Sequence, residues 1–421
     1  MKKNILIMLS VFAASLFSCD DEKGEYQDLL VARPLTISKT EFRESSVDVI
    51  EPQPIDESGK IYAYKDYIFV NDRYKGVHVI DNSNPTSPQK VSFIKIAGNV
   101  DISIKDDYLF ADSLTDLVVL DISDVNNVEI VDWLEGVLGG GGFWLATEVQ
   151  NIEWPQADVF DYEGVDFEND IIVGWETKME RRRVEETQPD VFFEDFATAN
   201  EAGGDSGQGG SLARFKIVGD YLYVVDSHNI NTFNISDLEN PEEKEDVYAG
   251  FDIETIFNKD NHLFLGSMRG MYIYDITEPA TPTFVSEFEH GTACDPVVVD
   301  GDYAYVTLRG GSFCGATESG LFIVDISNIE TPELEVIYPM DEPYGLGVKD
   351  DQLFICDGSS GLKVYDKSDA PNIEQLNHFE NIVTFDVIPM QEQLLMVGDG
   401  ILYQYEYLEN DIRLISQLPL N

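Results

Sequence analysis

"LFIVDISNIETP" (321–332) is a run of β-formers, an aspartate, a serine two residues on, and a turn closed by proline. The phrase returns as "VHVIDNSNPTSP" (77–88), "LVVLDISDVNNV" (117–128) and "MYIYDITEPATP" (271–282). Weaker copies are "INTFNISDLENP" (230–241) and "LKVYDKSDAPNI" (362–373). The residue ending each apolar run is Asp81, Asp121, Asn234, Asp275, Asp325 or Asp366, with a worn seventh copy at Glu406. Successive spacings are 40, 113, 41, 50, 41 and 40 residues, so the outlier is one repeat plus about 70 extra residues. A period of about 40 to 45 residues with several short strands per unit is propeller spacing.

One unit, residues 344–379, shows the internal plan. An apolar strand (Leu346, Val348) meets the turn Asp350-Asp351, and a second strand runs from Leu353 to Cys356. "DGSSG", a third strand (Leu362 to Tyr365), the Asp-x-Ser turn and a fourth strand toward Phe379 follow. Apolar alternation broken by Gly and Asp turns is the antiparallel hairpin signature, and four such strands make a blade. The Asp and Ser of the phrase are turn-formers. Pro88, Pro241, Pro282 and Pro332, each seven residues past the anchor, stop the turn from extending the ladder. The repeated aspartate therefore reads as a builder of the fold rather than a catalyst. The expectation is an all-β single propeller of seven four-stranded blades. The blades start near 59, 100, 212, 252, 294, 344 and 383, and "IRLISQL" (412–418) completes the last. "SSVDVI" (45–50) either pairs across the closure or braces the rim.

"LFIVDIS" and "LVVLDIS" resemble the LVIVD repeat of bacterial and archaeal cell-surface proteins, over about residues 58 to 421 apart from the insertion. Glu406 and "DKS" (366–368) depart from that pattern. The resemblance implies a propeller in a surface setting and brings no catalytic residues.

The N-terminus adds a compartment. Lys2 and Lys3 precede an apolar run from Ile5 to Phe17, too short for a membrane-spanning helix and flanked as a secretory signal is. Ser18-Cys19 resembles the lipobox of bacterial lipoproteins, which implies cleavage before Cys19 and lipid (palmitate among the acyl chains) on that residue. Asp20-Asp21-Glu22 resembles the surface-export signal of lipoproteins in the Bacteroidota. The expected order is a signal peptide (1–18), a lipidated Cys19 with an acidic tether (19–45), and the propeller (46–421). That places the chain at the outer membrane through its lipid, facing the cell surface or, alternatively, the periplasm.

With 79 acidic against 27 basic residues, nucleic-acid binding is excluded, because phosphate contacts need clustered Lys and Arg. Such a surface is self-repelling and soluble, and a monomer is expected. Among the cysteines, Cys294 and Cys314 flank one strand unit and are expected to form a disulfide, whereas Cys356 lies inside an apolar strand. His290 stands near Cys294, but a zinc site lacks a fourth ligand.

Three features fall on the face where the loops between blades meet the loops between strands two and three. Strand two ends in Asp72, Asp112, Asp226 and Asp357, four carboxylates that could hold calcium or could each cap its own turn. The first strands contribute the column Lys60, Asp101, Arg214, Thr255, Pro296, Gly345 and Asp386, expected at the channel mouth, with Arg214 pairing with Asp101 or Asp386. The insertion (about 136–211) carries Trp144, Trp154 and Trp175, a basic run Arg181-Arg182-Arg183 on a projecting strand (170–183), and a glycine-rich end expected to be flexible (201–211). Trp and Arg anchor interfaces, so the insertion is expected to be a recognition arm or, equally, to pack back on the blades.

No G-x-S-x-G, H-E-x-x-H, phosphate-binding glycine loop or haem-attachment motif is present. The expectation is a non-enzymatic binding module for a protein or glycan, with no cofactor. A calcium-dependent lactonase-like hydrolase built on channel carboxylates is the alternative.

Overall fold

The computed structural model describes residues 26–138, 154–167, 169–183, 208–291, 296–310, 318–409 and 411–421. The signal segment, Cys19, Trp144, Cys294 and Cys314 lie outside the described residues, as does the side chain of Arg183. The chain divides into two compact units.

The larger unit is built from antiparallel sheets. Seven sheets among the described residues contain a meander of four strands laid side by side in sequence order. In sheet 3 the outermost strand is split into Glu242–Glu243 and Val247–Tyr248. The innermost strands of sheets 1 to 7 are Ser58–Tyr64, Ile102–Lys105, Phe215–Val218, Ile253–Lys259, Val297–Asp300, Leu346–Lys349 and Asp386–Pro389. Each begins within about three residues of the position expected from the repeat. Strand Val47–Ile50 braces the rim, adding to the outer edge of sheet 1 against Gln89–Ile96.

The repeated phrase is a turn lock. The side-chain oxygen of Asp81 accepts the Ser83 N–H at 2.8 Å, and Asp121 accepts that of Ser123 at 2.8 Å. The same bond joins Asn234 to Ser236, Asp275 to Thr277, Asp325 to Ser327 and Asp366 to Ser368 at 2.6–2.9 Å. Each is an Asx turn that lets the chain leave strand three and double back. Glu406, one methylene too long for that turn, pairs with Arg413 instead. Just before the anchor, the pairing of strands three and four slips by one residue in six sheets, as between Val79 and Ile80 or between Ile323 and Val324. Such bulges add twist to the outer edge. The first hairpin turn puts Lys65, Asp106, Gly219, Asp260, Gly301 and Asp350 at φ between +49° and +60°, a conformation that Gly and Asp tolerate.

The core is a set of layers between sheets rather than one centre. Phe69, Val79 and Ile94 of sheet 1 pack with Ile104 and Leu109 of sheet 2, and the pattern repeats through each successive pair. A last layer joins Ile388, Leu395 and Val397 of sheet 7 to Ile61, Ile68 and Val70 of sheet 1. Backbone and side-chain bonds clasp the same seam: Ile55 N–H to Leu420 O at 2.9 Å, and Gln404 Nε2 to Asn82 Oδ1 at 2.7 Å. Residues of this kind, such as Ile61 and Val397, are fully buried, and truncating one to Ala costs about 2–5 kcal/mol.

The smaller unit comprises residues to 35, 153–165 and 174–194. Its described part is a sheet in the order Val159–Phe160, Tyr26–Ser38, Asp170–Arg183, whose long strands continue into the larger unit. Trp154 and Trp175 meet at 4.8 Å between ring centroids with their planes tilted by 41°, and Phe160 is edge-on to both. Arg182 does not form part of an open basic patch: it pairs with Asp161 and Glu180, which Arg33 also holds. Arg181 is exposed.

Candidate functional site

The glycine-rich end of the insertion turns out to be structural from residue 208 on. Gln208–Gly209 pairs with Ala63 and Tyr62 on the inner edge of sheet 1. Gln208 Nε2 donates to Pro389 O of sheet 7 at 3.0 Å. The Ser211 hydroxyl oxygen accepts the Leu346 N–H of sheet 6 at 2.8 Å, and Ala213 O accepts the Ile256 N–H of sheet 4 at 2.8 Å. The Arg214 and Phe215 N–H groups close the run on the Asp101 carboxylate of sheet 2 at 2.7 and 3.1 Å. Residues 208–215 thus plug the centre, where the innermost strands of six sheets meet. The expectation of flexibility is corrected for residues 208–211: the glycines allow close approach, since a Cβ on Gly210 would overlap the Asp386 carboxylate.

The column of first-strand residues is also re-read. Tyr62 packs toward sheet 2 and Ile61 toward sheet 7, so both faces of the strand lie between sheets. Lys60 and Asp101 form a buried ion pair at 3.3 Å. Asp101 meets Arg214 through its backbone, not its guanidinium, which donates from Nε to Val225 O at 3.1 Å and bears electrostatically on Asp112. Asp386 is fully buried and accepts the Val387 N–H at 2.9 Å.

The four strand-end aspartates stand in four different sheets, each held by N–H groups of its own. Asp72 accepts from Asp56 and Glu57 N–H, both at 3.1 Å. Asp112 accepts from Val100 and Asp101 N–H at 2.8 and 2.9 Å. Asp357 accepts from Asp341 and Glu342 N–H and pairs with Lys363. In each case the carboxylate fastens the loop by which the chain enters the same sheet. Asp226 instead caps its own turn, taking the His228 and Asn229 N–H groups at 2.6 and 2.7 Å. Burial pushes the Asp112 carboxyl up to about 6 although two N–H groups hold it down. Burial also raises Asp72, but His78 and its two backbone donors outweigh that and leave it below the usual carboxylate range. Among the described residues no group of three or more His, Cys, Asp or Glu side chains is placed to hold a metal ion. Cys356 is a buried free thiol, and burial raises its pKa.

Above the plug, at the end where inter-sheet loops meet the loops between strands two and three, lies a cavity of about 240 Å³. Leu212 of the plug forms part of its wall, with Val100, Pro296, Pro343, Tyr344 and Phe385 from four other sheets. Its charged lining is Lys60, Arg73 and Arg309 against Glu57. Arg73 is tied to Glu57 at 3.0 Å and to the Tyr74 hydroxyl at 2.8 Å. Arg309 lies over the Tyr344 ring at 4.0 Å, and Tyr344 meets Phe385 at 5.2 Å. The sequence reading had passed over Arg73, Arg309 and Tyr344. The signal it could have used is that Arg73 and Arg309 each directly follow the last residue of strand two.

Four stretches, 57–93, 97–131, 209–248 and 290–339, match the model of the LVIVD repeat, together less than half of the chain. The chain carries four LVIVD repeats. Sheets 4, 6 and 7 keep the four-strand plan outside or largely outside those stretches. No curated protein matches the chain. Among solved structures, the periplasmic gluconolactonase PpgL of Pseudomonas aeruginosa is similar at 7% identity and TM-score 0.52, over 86% of this chain and 96% of that one. The computationally designed protein Ika8 is similar at 10% identity and TM-score 0.50, over 88% and 89%. At such identities the likeness bears on the fold alone: it is all-β and propeller-like. Among the described residues no helix is long and apolar enough to cross a membrane.

Proposed function

We propose that the LVIVD-repeat chain is a single seven-bladed propeller acting as a non-enzymatic binding module, with recognition on the face that carries the insertion. The observation that carries this reading is the cavity at the mouth, around which loops from several sheets converge, with Leu212 of the 208–215 segment in its wall. Exposed aromatic residues stand on loops at the same end, with Phe251 half exposed and Arg269 over its ring at 5.5 Å. Arginine and aromatic side chains are the groups that anchor interfaces. Under this reading the partner is a protein or glycan, and the chain is held at the outer membrane by lipid on Cys19. Replacing Cys19 by Ala should then release the protein from the membrane fraction.

The calcium-dependent hydrolase is the weaker reading, because the channel carboxylates are spent on loop N–H groups and on Lys60 and Lys363. The two are separated by photo-crosslinking in the cells that express the full chain. A photoreactive residue at Phe251 should capture a partner, whereas one at Phe284, equally exposed on the outer strand of sheet 4, should not. Equal capture at both positions, or lactone or ester turnover by the purified chain, would overturn the binding reading.

A further inference from the structure

We infer that the mouth cavity takes an organic carboxylate carried on a compact, flat body; this goes beyond the binding reading above, which concerns a protein or glycan at the surrounding face, and adds a small-molecule ligand. The argument starts from charge. The chain carries 79 acidic and 27 basic residues, yet three cations and one acid line this cavity. Asp101 and Glu57 offset two of these cations, so the lining gains its net positive charge from Arg309, and low-dielectric walls strengthen that charge.

The three cations are not equivalent. Lys60 is committed to Asp101 at 3.3 Å, and Arg73 to Glu57 at 3.0 Å. Among the described residues Arg309 makes no ion pair and no hydrogen bond to an acid; its contact is the face of the Tyr344 ring. Stacking orients the guanidinium while leaving its N–H edge without a carboxylate, and that planar edge matches a carboxylate two bonds at a time. The ring beneath is itself fixed. Its backbone N–H donates to Cys356 O at 2.7 Å, its carbonyl accepts the Thr307 hydroxyl at 2.8 Å, and Phe385 packs against it. The fork is thus held before any ligand arrives, which lowers the ordering cost of binding.

Size and wall chemistry set the rest of the ligand. About 240 Å³ is room for a small ring-sized molecule, since a cavity of about 150 Å³ already takes benzene. That suits a small ring-sized acid and is too little for a folded chain. Pro296, Pro343 and Phe385 present flat apolar surfaces on part of the wall, while Ser58 and Asn71 stand elsewhere in the lining. A carboxylate with a planar apolar body uses both the fork and these walls.

The probe is benzoate, with benzamide as the neutral molecule of the same shape. In thermal melts of the full chain at low ionic strength, benzoate should raise the Tm in a saturable way and benzamide should not. Arg309→Gln, which removes a charge that makes no ion pair among the described residues, should lower the ligand-free Tm only slightly, through the lost contact with the Tyr344 ring, and weaken benzoate at least about tenfold. Arg309→Lys should fall between, keeping the charge and losing the fork. Arg413→Gln, on the outer strand of sheet 7, should bind as the parent does. Equal shifts with benzoate and benzamide, or unweakened binding by a folded Arg309→Gln protein, would overturn the carboxylate assignment. Capture at Phe251 that persists without a benzoate shift would reject this ligand class and leave the binding reading standing. A benzoate shift without capture at Phe251 would do the reverse.

Discussion

Gly210 stands so close to Asp386 that a side chain on the glycine would overlap the carboxylate. Asp386 is fully buried at the start of the innermost strand of sheet 7, and Gly210 is the third residue of the segment that fills the centre. This contact ties the end of the insertion to the last sheet in the chain. Gly210→Ala should therefore destabilise the protein by about 1–3 kcal/mol, as overpacking does. Gly174→Ala, whose Cβ would meet only Leu35 at an ordinary 3.6 Å, should be close to neutral. Thermal melts compare the two, and a Gly210→Ala protein as stable as the parent would mean that the plug is not seated as described.

Lys60 and Asp101 bridge sheets 1 and 2 where both are buried. Removing one partner leaves a charge without its counterion, so Lys60→Met should cost about 3–5 kcal/mol. The double variant Lys60→Met with Asp101→Asn should recover part of that loss, since Asn can still accept the Arg214 and Phe215 N–H bonds. Denaturant melts of the full cycle give the coupling directly. Purely additive losses would contradict the pair.

The strand-end aspartates give a calcium prediction. Because Asp72, Asp112, Asp226 and Asp357 each bind backbone N–H groups in separate sheets, converting any one to Ala should lower stability by about 1–3 kcal/mol. Calcium should not raise the Tm of the parent chain relative to EDTA. A calcium shift that disappears in the Asp-to-Asn variants would make them ligands and revive the hydrolase reading.

Lys216 provides a pH signature. It is buried on the innermost strand of sheet 3, its Nζ 5.5 Å from the Phe257 ring centroid, and burial drives its ammonium down to about 7. In the unfolded chain the group titrates near 10.4. Between those values the unfolded state holds the extra proton, so this residue makes stability rise with pH, by at most about 1.4 kcal/mol per unit. Lys216→Met should remove that slope between pH 7 and 10 and should be most stabilising at the acid end. Parallel pH–stability curves for parent and variant would refute the assignment.

Much of the fold was legible because its unit is local. An aspartate and a serine two residues apart lock a turn through one side-chain bond, and no distant residue is needed to form it. Repetition then revealed the sheets, down to the last strand, Ile412–Pro419. The candidate site was less legible. Of the first-strand column read as a channel lining, Lys60 and Pro296 do line the mouth cavity, but Asp101 and Asp386 are buried, because in stacked sheets both faces of a strand are covered by neighbours. Arg73 and Arg309 escaped notice because each is a single residue in a loop of its own, 236 positions apart by the numbering 73 and 309.

By itself the sequence determined the sheet, its turns and the number of times both are repeated, since those depend on contacts within about 40 residues. It determined the net charge as well, and with it the expectation that the chain does not bind nucleic acid. Only the tertiary structure decided what stands at the centre. A glycine-rich stretch has no side-chain pattern to announce its partners, and its place was set by N–H and C=O groups offered by strands far away in the chain. The cavity above it exists for the same reason: it is bounded by residues that share no sequence neighbourhood, and it took the packing of the sheets to bring them around one space.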